Sequence, residues 1–187
     1  MNLAIPAVVV MGVAGCGKTS VAEALAARIG GRYIEGDAFH PAANVEKMSR
    51  GIALTDADRT GWLDSLAEEL RRVAALGERP VLACSALKRR YRDRLRAAVS
   101  SLGFVFLDIP RQQALARIGS RAGHFMPTSL VDSQFADLEP PLDENATLTL
   151  AATAPVEVIV ERAACWCGAR HGEECGNQAE QPTFLYR

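Results

Sequence analysis

The chain has 187 residues, with 21 basic and 22 acidic side chains, a formal net charge of −1, and apolar and charged shares of 49% and 23%. That is the size of a single domain that buries a core without staples, and the composition excludes disordered and fibrous chains. Balanced charge, no run near the roughly 20 apolar residues of a membrane span, and no basic start to Met1–Met11 predict no nucleic-acid partner, no membrane partner and a cytoplasmic location.

Apolar runs alternate with helix-length amphipathic segments, the order of a parallel sheet covered by helices on both faces. The continuous run Ala7 to Met11 predicts a central strand, and Thr19 to Ile29 a helix closed by Gly30-Gly31. A second strand is expected at Tyr33 to Glu35, then a His40-Pro41 turn into a helix to about Ser49. Between Asp58 and Leu76, Trp62, Leu66, Leu70 and Val73 share one helical face. Strand three is Val81 to Cys84, followed by an Arg-rich helix from Lys88 to about Val99, and strand four is Phe104 to Leu107. Helices over Gln112–Arg117 and Leu130–Leu138, a strand near Leu148–Leu150 and a helix after Pro155 complete the pattern. The periodicity stops near Arg162, so the expected domain is 1–162, with 163–187 as an appendage.

Five cysteines and no pairing pattern around Cys16 and Cys84 predict thiols in a reducing compartment. Cys165, Cys167 and Cys175 fall with His171 in the tail, a possible zinc set whose spacing matches no usual zinc pattern.

The segment Gly12-Val13-Ala14-Gly15-Cys16-Gly17-Lys18-Thr19 fits G-x-x-x-x-G-K-[ST] between a buried strand and a helix. Its backbone N–H groups and the helix N-terminus form a concavity for phosphate; Lys18 would reach the β and γ phosphates, and Thr19 would ligate Mg²⁺. A nucleotide, ATP in a kinase, and Mg²⁺ are therefore the expected cofactors. The loop alone does not fix function. A switch GTPase is disfavoured because Asn-Lys-x-Asp is absent and Asp58-Arg59-Thr60-Gly61 opens a helix, and an ATPase motor needs a longer chain.

The remaining residues suggest a small-molecule kinase. Arg117, Arg121 and His124 fall in a Gly-punctuated stretch suited to a lid, where arginine can stabilise charge on a transferring phosphoryl group. Asp37, just after strand two, lies where open α/β sheets bind ligands; it is the candidate base for an attacking hydroxyl, or holds a Mg²⁺-bound water. His40, Lys47, Arg50 and Arg59 are candidates for the acceptor, the arginines as fork-shaped partners for a carboxylate.

The chain resembles the small P-loop gluconokinases. The phosphate loop, Glu35-Gly36-Asp37-Ala38-Phe39-His40-Pro41 with Asn44-Val45-Glu46-Lys47-Met48, and Leu54-Thr55-Asp56-Ala57-Asp58-Arg59-Thr60-Gly61-Trp62-Leu63 carry the likeness. So do Cys84-Ser85-Ala86-Leu87-Lys88, Tyr91-Arg92-Asp93, Gly123-His124-Phe125-Met126 and Ser133-Gln134-Phe135 with Leu138-Glu139, in order over residues 5–162. The resemblance implies a P-loop NTPase fold of the nucleoside and shikimate kinase type with a lid, a homodimer, and transfer from Mg-ATP to the 6-hydroxyl of D-gluconate. It adds Lys88, His124 and Gln134 to the substrate-binding candidates, beside Asp37, His40, Lys47, Arg50 and Arg59. Lys18, Asp37 and Arg121 become the catalytic set, and residues 12–19 with Arg117 the ATP site. Ala14 and Cys16 replace serines common in the family loop, Ile118-Gly119-Ser120 replaces a more basic lid, and the tail has no family counterpart. A kinase for another hydroxy acid such as shikimate, and a nucleotide-binding regulatory module, stay open as alternatives.

Overall fold

The structure, a computed structural model, describes residues 5–120 and 128–168. Its frame is strand β1 (Ala7–Met11), all five residues of which are fully buried because helices cover both of its faces. The other strands are β2 (Arg32–Glu35), β3 (Pro80–Ala83), β4 (Leu102–Asp108) and β5 (Thr147–Ala151). They form one sheet in the order β2-β3-β1-β4-β5, every pair parallel. In register, Val9 lies between Leu82 and Phe104.

Period-two alternation splits β1 between two cores. Val8 and Val10 face helices α1 (Lys18–Ile29) and α7 (Val156–Gly168), with Ala114 of α5 (Arg111–Gly119). Ala7, Val9 and Met11 face α3 (Asp56–Ala75) and α4 (Arg89–Arg96). The chain is thus an α/β P-loop fold with a five-stranded parallel sheet between two helical layers. Helices α2 (Ala42–Ser49) and α6 (Thr128–Asp137) lie beyond the carboxyl ends of the strands in sequence. The connections from β1 and β3 lead to opposite sides of the sheet, so the loop after β1 sits at the switch point where such sheets bind ligands.

Several boundaries differ from expectation for identifiable reasons. Helix α3 starts at Asp56, before the expected Asp58, because Thr55 caps it: its hydroxyl accepts from the Asp58 N–H while the Asp58 carboxylate accepts from the Thr55 N–H. Helix α4 ends at Arg96 instead of near Val99. Helix α7 runs through Gly168 instead of stopping near Arg162, because Ala163 and Cys167 continue its buried face below Ile159 and Val160. The Ile5 N–H donates to the Cys167 carbonyl at 3.2 Å, and Arg79 donates to the carbonyls of both Ile5 and Cys167, at 2.8 Å from Nε to Ile5 and 2.8 Å to Cys167. Cys167 is therefore a core residue, its thiol pushed up to about 11 by burial, and the tail zinc set loses that member. His171 and Cys175 lie outside the described residues, among which no cluster of three metal-ligating side chains occurs.

Arg92, fully buried, pairs with Glu144 and donates to the Ala86 and Leu87 carbonyls at 2.9 and 2.8 Å. Arg96 reaches the same carboxylate at 2.6 Å. Burial opposes the charge on Glu144, yet the hydrogen bonds from both arginines hold its carboxyl below the ordinary value of 4.5. Glu144 therefore adds stability that is complete above pH 4.5 and is lost as pH falls toward its lower folded value. Arg92→Met should cost about 1–3 kcal/mol in urea unfolding, because it leaves Glu144 to Arg96 alone and removes the donors to the Ala86 and Leu87 carbonyls; Glu144→Gln should flatten the acid decline of stability below that pH. A midpoint unmoved by Arg92→Met would assign this network no role in stability.

Candidate active site

The loop after β1 turns on glycine. Gly15 has φ +80°, and a Cβ there would lie 2.8 Å from the Ala114 carbonyl, so only glycine fits. The Val13 and Cys16 side chains are buried in the core, leaving the backbone of residues 12–19 as the working surface. Burial raises the Cys16 thiol above its ordinary range and pushes Cys84 up to about 12, so both are protonated packing groups at neutral pH. Lys18 Nζ donates to the Val13 carbonyl at 3.0 Å, folded over the loop it serves.

A cleft of about 420 Å³ opens at the carboxyl ends of the strands, within the range of small-molecule sites. Its wall joins Gly15, Gly17, Lys18 and Thr19 of the phosphate loop to Asp37, His40 and Arg59, with Met48, Leu54, Trp62 and Leu130 as apolar lining. Phosphate donors, a carboxylate and an arginine thus face one space.

The end of the cleft that holds Asp37 and His40 is built on the 3₁₀ turn Gly36–Phe39. A Cβ on Gly36 would lie 2.3 Å from the Ala83 carbonyl, so glycine alone lets the turn pass β3. Trp62 Nε1 donates to the Gly36 carbonyl at 2.8 Å, and its ring stacks on His40 at 4.2 Å between centroids. The His40 side chain is 5% exposed whereas Asp37 is 77% exposed, with Nε2 and Oδ1 4.0 Å apart. Burial lowers the His40 pKa below 6.5; Asp37 opposes this shift and Arg59 adds to it.

Arg59, 8% exposed, donates to Tyr91 Oη at 3.1 Å and pairs with Asp137 at 3.0 Å. Lys88 bridges Asp137 and Asp56 at 2.9 and 3.2 Å. The Tyr91 hydroxyl, with Lys88 and Arg90, holds the Asp56 carboxyl at about 2. Lys88 is therefore a strut behind Arg59 and does not line the cleft. Lys47 is likewise spent on Asp58 at 2.6 Å, which with Thr55 holds that carboxyl at about 2. Arg50 is exposed beside Glu46 at 3.8 Å. Arg117 donates to the Ala152 carbonyl at 2.8 Å, next to the loop after β5. Gln134 lines the cleft at the phosphate loop, where its Oε1 accepts from the Ala14 N–H at 2.7 Å. Arg121 and His124 lie outside the described residues.

Three residues were not singled out by the sequence reading. Glu35 Oε2 accepts from Thr19 Oγ1 at 2.9 Å and from Tyr33 Oη at 2.5 Å, while Oε1 accepts from the Asp37 N–H at 3.2 Å. Period-two spacing puts Tyr33 and Glu35 on one face of β2, a signal that could have found it. Ser85 lines the cleft, and Asn44 is buried behind His40. Ser85 meets the phosphate loop only through the fold, and Asn44 joins His40, four residues earlier, to Asp58 of α3.

The comparisons agree with this geometry. The AAA domain family model matches residues 8–141. A gluconokinase of Gluconobacter oxydans (strain 621H) is 48% identical over 153 residues, spanning 82% of this chain and 86% of the relative. The chain belongs to the gluconokinase family. The crystal structure of a gluconokinase from Sinorhizobium meliloti 1021 superposes with TM-score 0.80 at 44% identity, covering 88% of this chain and 93% of that one. The unliganded structure of a sugar kinase from Janibacter sp. HTCC2649 gives 0.81 at 46%, covering 86% and 92%. Family membership makes the polar support of this turn testable: Trp62→Phe, which removes the indole donor to the Gly36 carbonyl, should lower stability by about 0.5–1.5 kcal/mol in chemical denaturation. An unchanged midpoint would show that the turn holds without it.

Proposed function

We propose that the chain is an ATP-dependent gluconokinase, transferring the γ-phosphoryl group to the 6-hydroxyl of D-gluconate to give 6-phospho-D-gluconate and ADP. The observation that supports this most is the single cleft in which a phosphate loop faces Asp37 and Arg59. The loop amides and Lys18 hold the phosphates. Arg59, backed by Asp137 and Tyr91, presents fixed positive charge to the gluconate carboxylate. Asp37 takes the proton of the hydroxyl as its oxygen bonds to phosphorus and the bond to the β-γ bridging oxygen breaks. Gluconate lies with its reacting end at Asp37, and the catalysis is mostly positioning and charge stabilisation. Arg121 is assigned the role of closing over the transferring group.

The donor set fits Mg²⁺. Thr19 Oγ1 and the Glu35 carboxylate are hard oxygen ligands within 2.9 Å of each other beside the loop, and these residues would hold the ion, Glu35 and Asp37 through water. Bound there, it would neutralise charge on the phosphates. The expected homodimer and cytoplasmic location belong to the same proposal.

The test is ADP release from Mg-ATP with gluconate, shikimate, other sugar acids and no acceptor. Release with gluconate alone is expected; release only with another acid would move the substrate, and nucleotide binding without acceptor-dependent turnover would favour a regulatory module. Lys18→Ala should abolish turnover without unfolding the chain, and activity retained there would overturn the assignment. Asp37→Asn should lower kcat at least about 100-fold, as loss of a general base does; a change confined to KM would make Asp37 a binding residue.

A further inference from the structure

Two side chains of the described cleft wall, Asp37 and His40, carry lone pairs that could take the hydroxyl proton, and the hydrogen bonds around His40 discriminate between them. Asn44, on α2, is 3% exposed. Its Nδ2 lies 2.9 Å from the Asp58 carbonyl and 3.4 Å from His40 Nδ1. A carbonyl only accepts, so the atom facing Asp58 must be the amide NH₂, which has two protons and no lone pair to offer. One proton goes to Asp58 and the other to Nδ1. A proton on Nδ1 would meet the Asn44 N–H head-on, so Nδ1 bears its lone pair and Nε2 bears the hydrogen. Nε2 is the atom that faces Asp37 Oδ1 at 4.0 Å.

We propose that Asn44 is a positioning residue for the reaction, fixing His40 as the neutral Nε2–H imidazole turned toward Asp37, so that Asp37 is the cleft's only base among the described residues. This rests on the reading of Asp37 given above. His40 then acts as a donor that orients the Asp37 carboxylate or the incoming hydroxyl, and it does not compete for the hydroxyl proton. The groups packed against the ring maintain that state: Trp62 of α3 covers its face, Arg59 of α3 disfavours a second positive charge, and Asp37 is the one carboxylate that favours it. Burial outweighs Asp37 and pulls the His40 pKa below its ordinary value, in keeping with the tautomer that the Asn44 geometry fixes. Asn44 also ties this turn to the start of α3, the helix that bears Arg59, so the two halves of the acceptor site share one buried amide.

The test begins with the unmodified full chain, uniformly ¹⁵N-labelled, and long-range ¹H–¹⁵N correlation of its histidine rings. The chain has three histidines, and the spectrum of His40→Gln assigns the signal. A neutral Nε2–H ring at pH 7 is expected; an Nδ1–H, averaged or doubly protonated ring in the wild-type spectrum would overturn the proposal. Asn44→Ala should release the tautomer and lower kcat about five-fold, one hydrogen bond's worth, with gluconate KM moved less. Asn44→Asp puts an acceptor beside Nδ1, so it should protonate the ring and move the acid limb of the kcat profile to higher pH than in Asn44→Ala. Equal losses in both variants with no difference in pH profile would reduce Asn44 to a packing residue and overturn its positioning role. Retained kcat in Asp37→Asn would remove the reading of Asp37 as base, whereas the wild-type spectrum would still decide the tautomer.

Discussion

The phosphate loop of this chain is placed by the burial of β1. A strand covered on both faces has no freedom to shift, because a one-residue slip would exchange the side chains that face α1 and α7 for those that face α3 and α4. The loop that leaves it is therefore anchored at its start, and the Gly12 N–H bond to the Ser85 carbonyl at 3.3 Å joins it to the end of β3. That bond and the burial of Val13 and Cys16 hold the loop against the sheet. A phosphate site made of backbone tolerates Ala14 and Cys16 in place of hydroxyl side chains, since what binds is not the side chain.

The acceptor end follows a different physical logic. Its cations are held by carboxylates: Arg59 by Asp137, Lys88 by Asp137 and Asp56, Lys47 by Asp58. Ordering these long side chains in advance reduces what a bound ligand must spend on fixing them. It also selects among them. Of the five basic acceptor candidates among the described residues, Arg59 and His40 reach the cleft wall, Lys47 and Lys88 are held on carboxylates, and Arg50 is exposed beside Glu46.

The sequence made some of this legible and hid the rest for definite reasons. Strand β1, the phosphate loop and the buried face of α3 were readable because each is local: a continuous apolar run, a spacing, a period. The end of α7 was not, because Cys165-Trp166-Cys167 suggests a cysteine-rich tail unless the partner surface on α1 and at Ile5 is known. Lys47 and Lys88 looked like anion binders because their carboxylate partners, Asp58 and Asp137, are 11 and 49 residues away along the chain. Glu35 stood inside a motif, yet its importance comes from Thr19, one helix earlier.

The late arrival of α7 has a consequence for synthesis. Helix α1 buries Val21, Ala22, Leu25 and Ala26 in a core that Ile159, Val160, Ala163 and Cys167 complete from the other end of the chain. On the ribosome, the first helix and the nucleotide loop it caps emerge long before the surface that covers them. Until Val156 onward has been made, that apolar face is open to water and to other nascent chains. A chain that stops before Val156 leaves this face of α1 uncovered, an apolar stripe open to association.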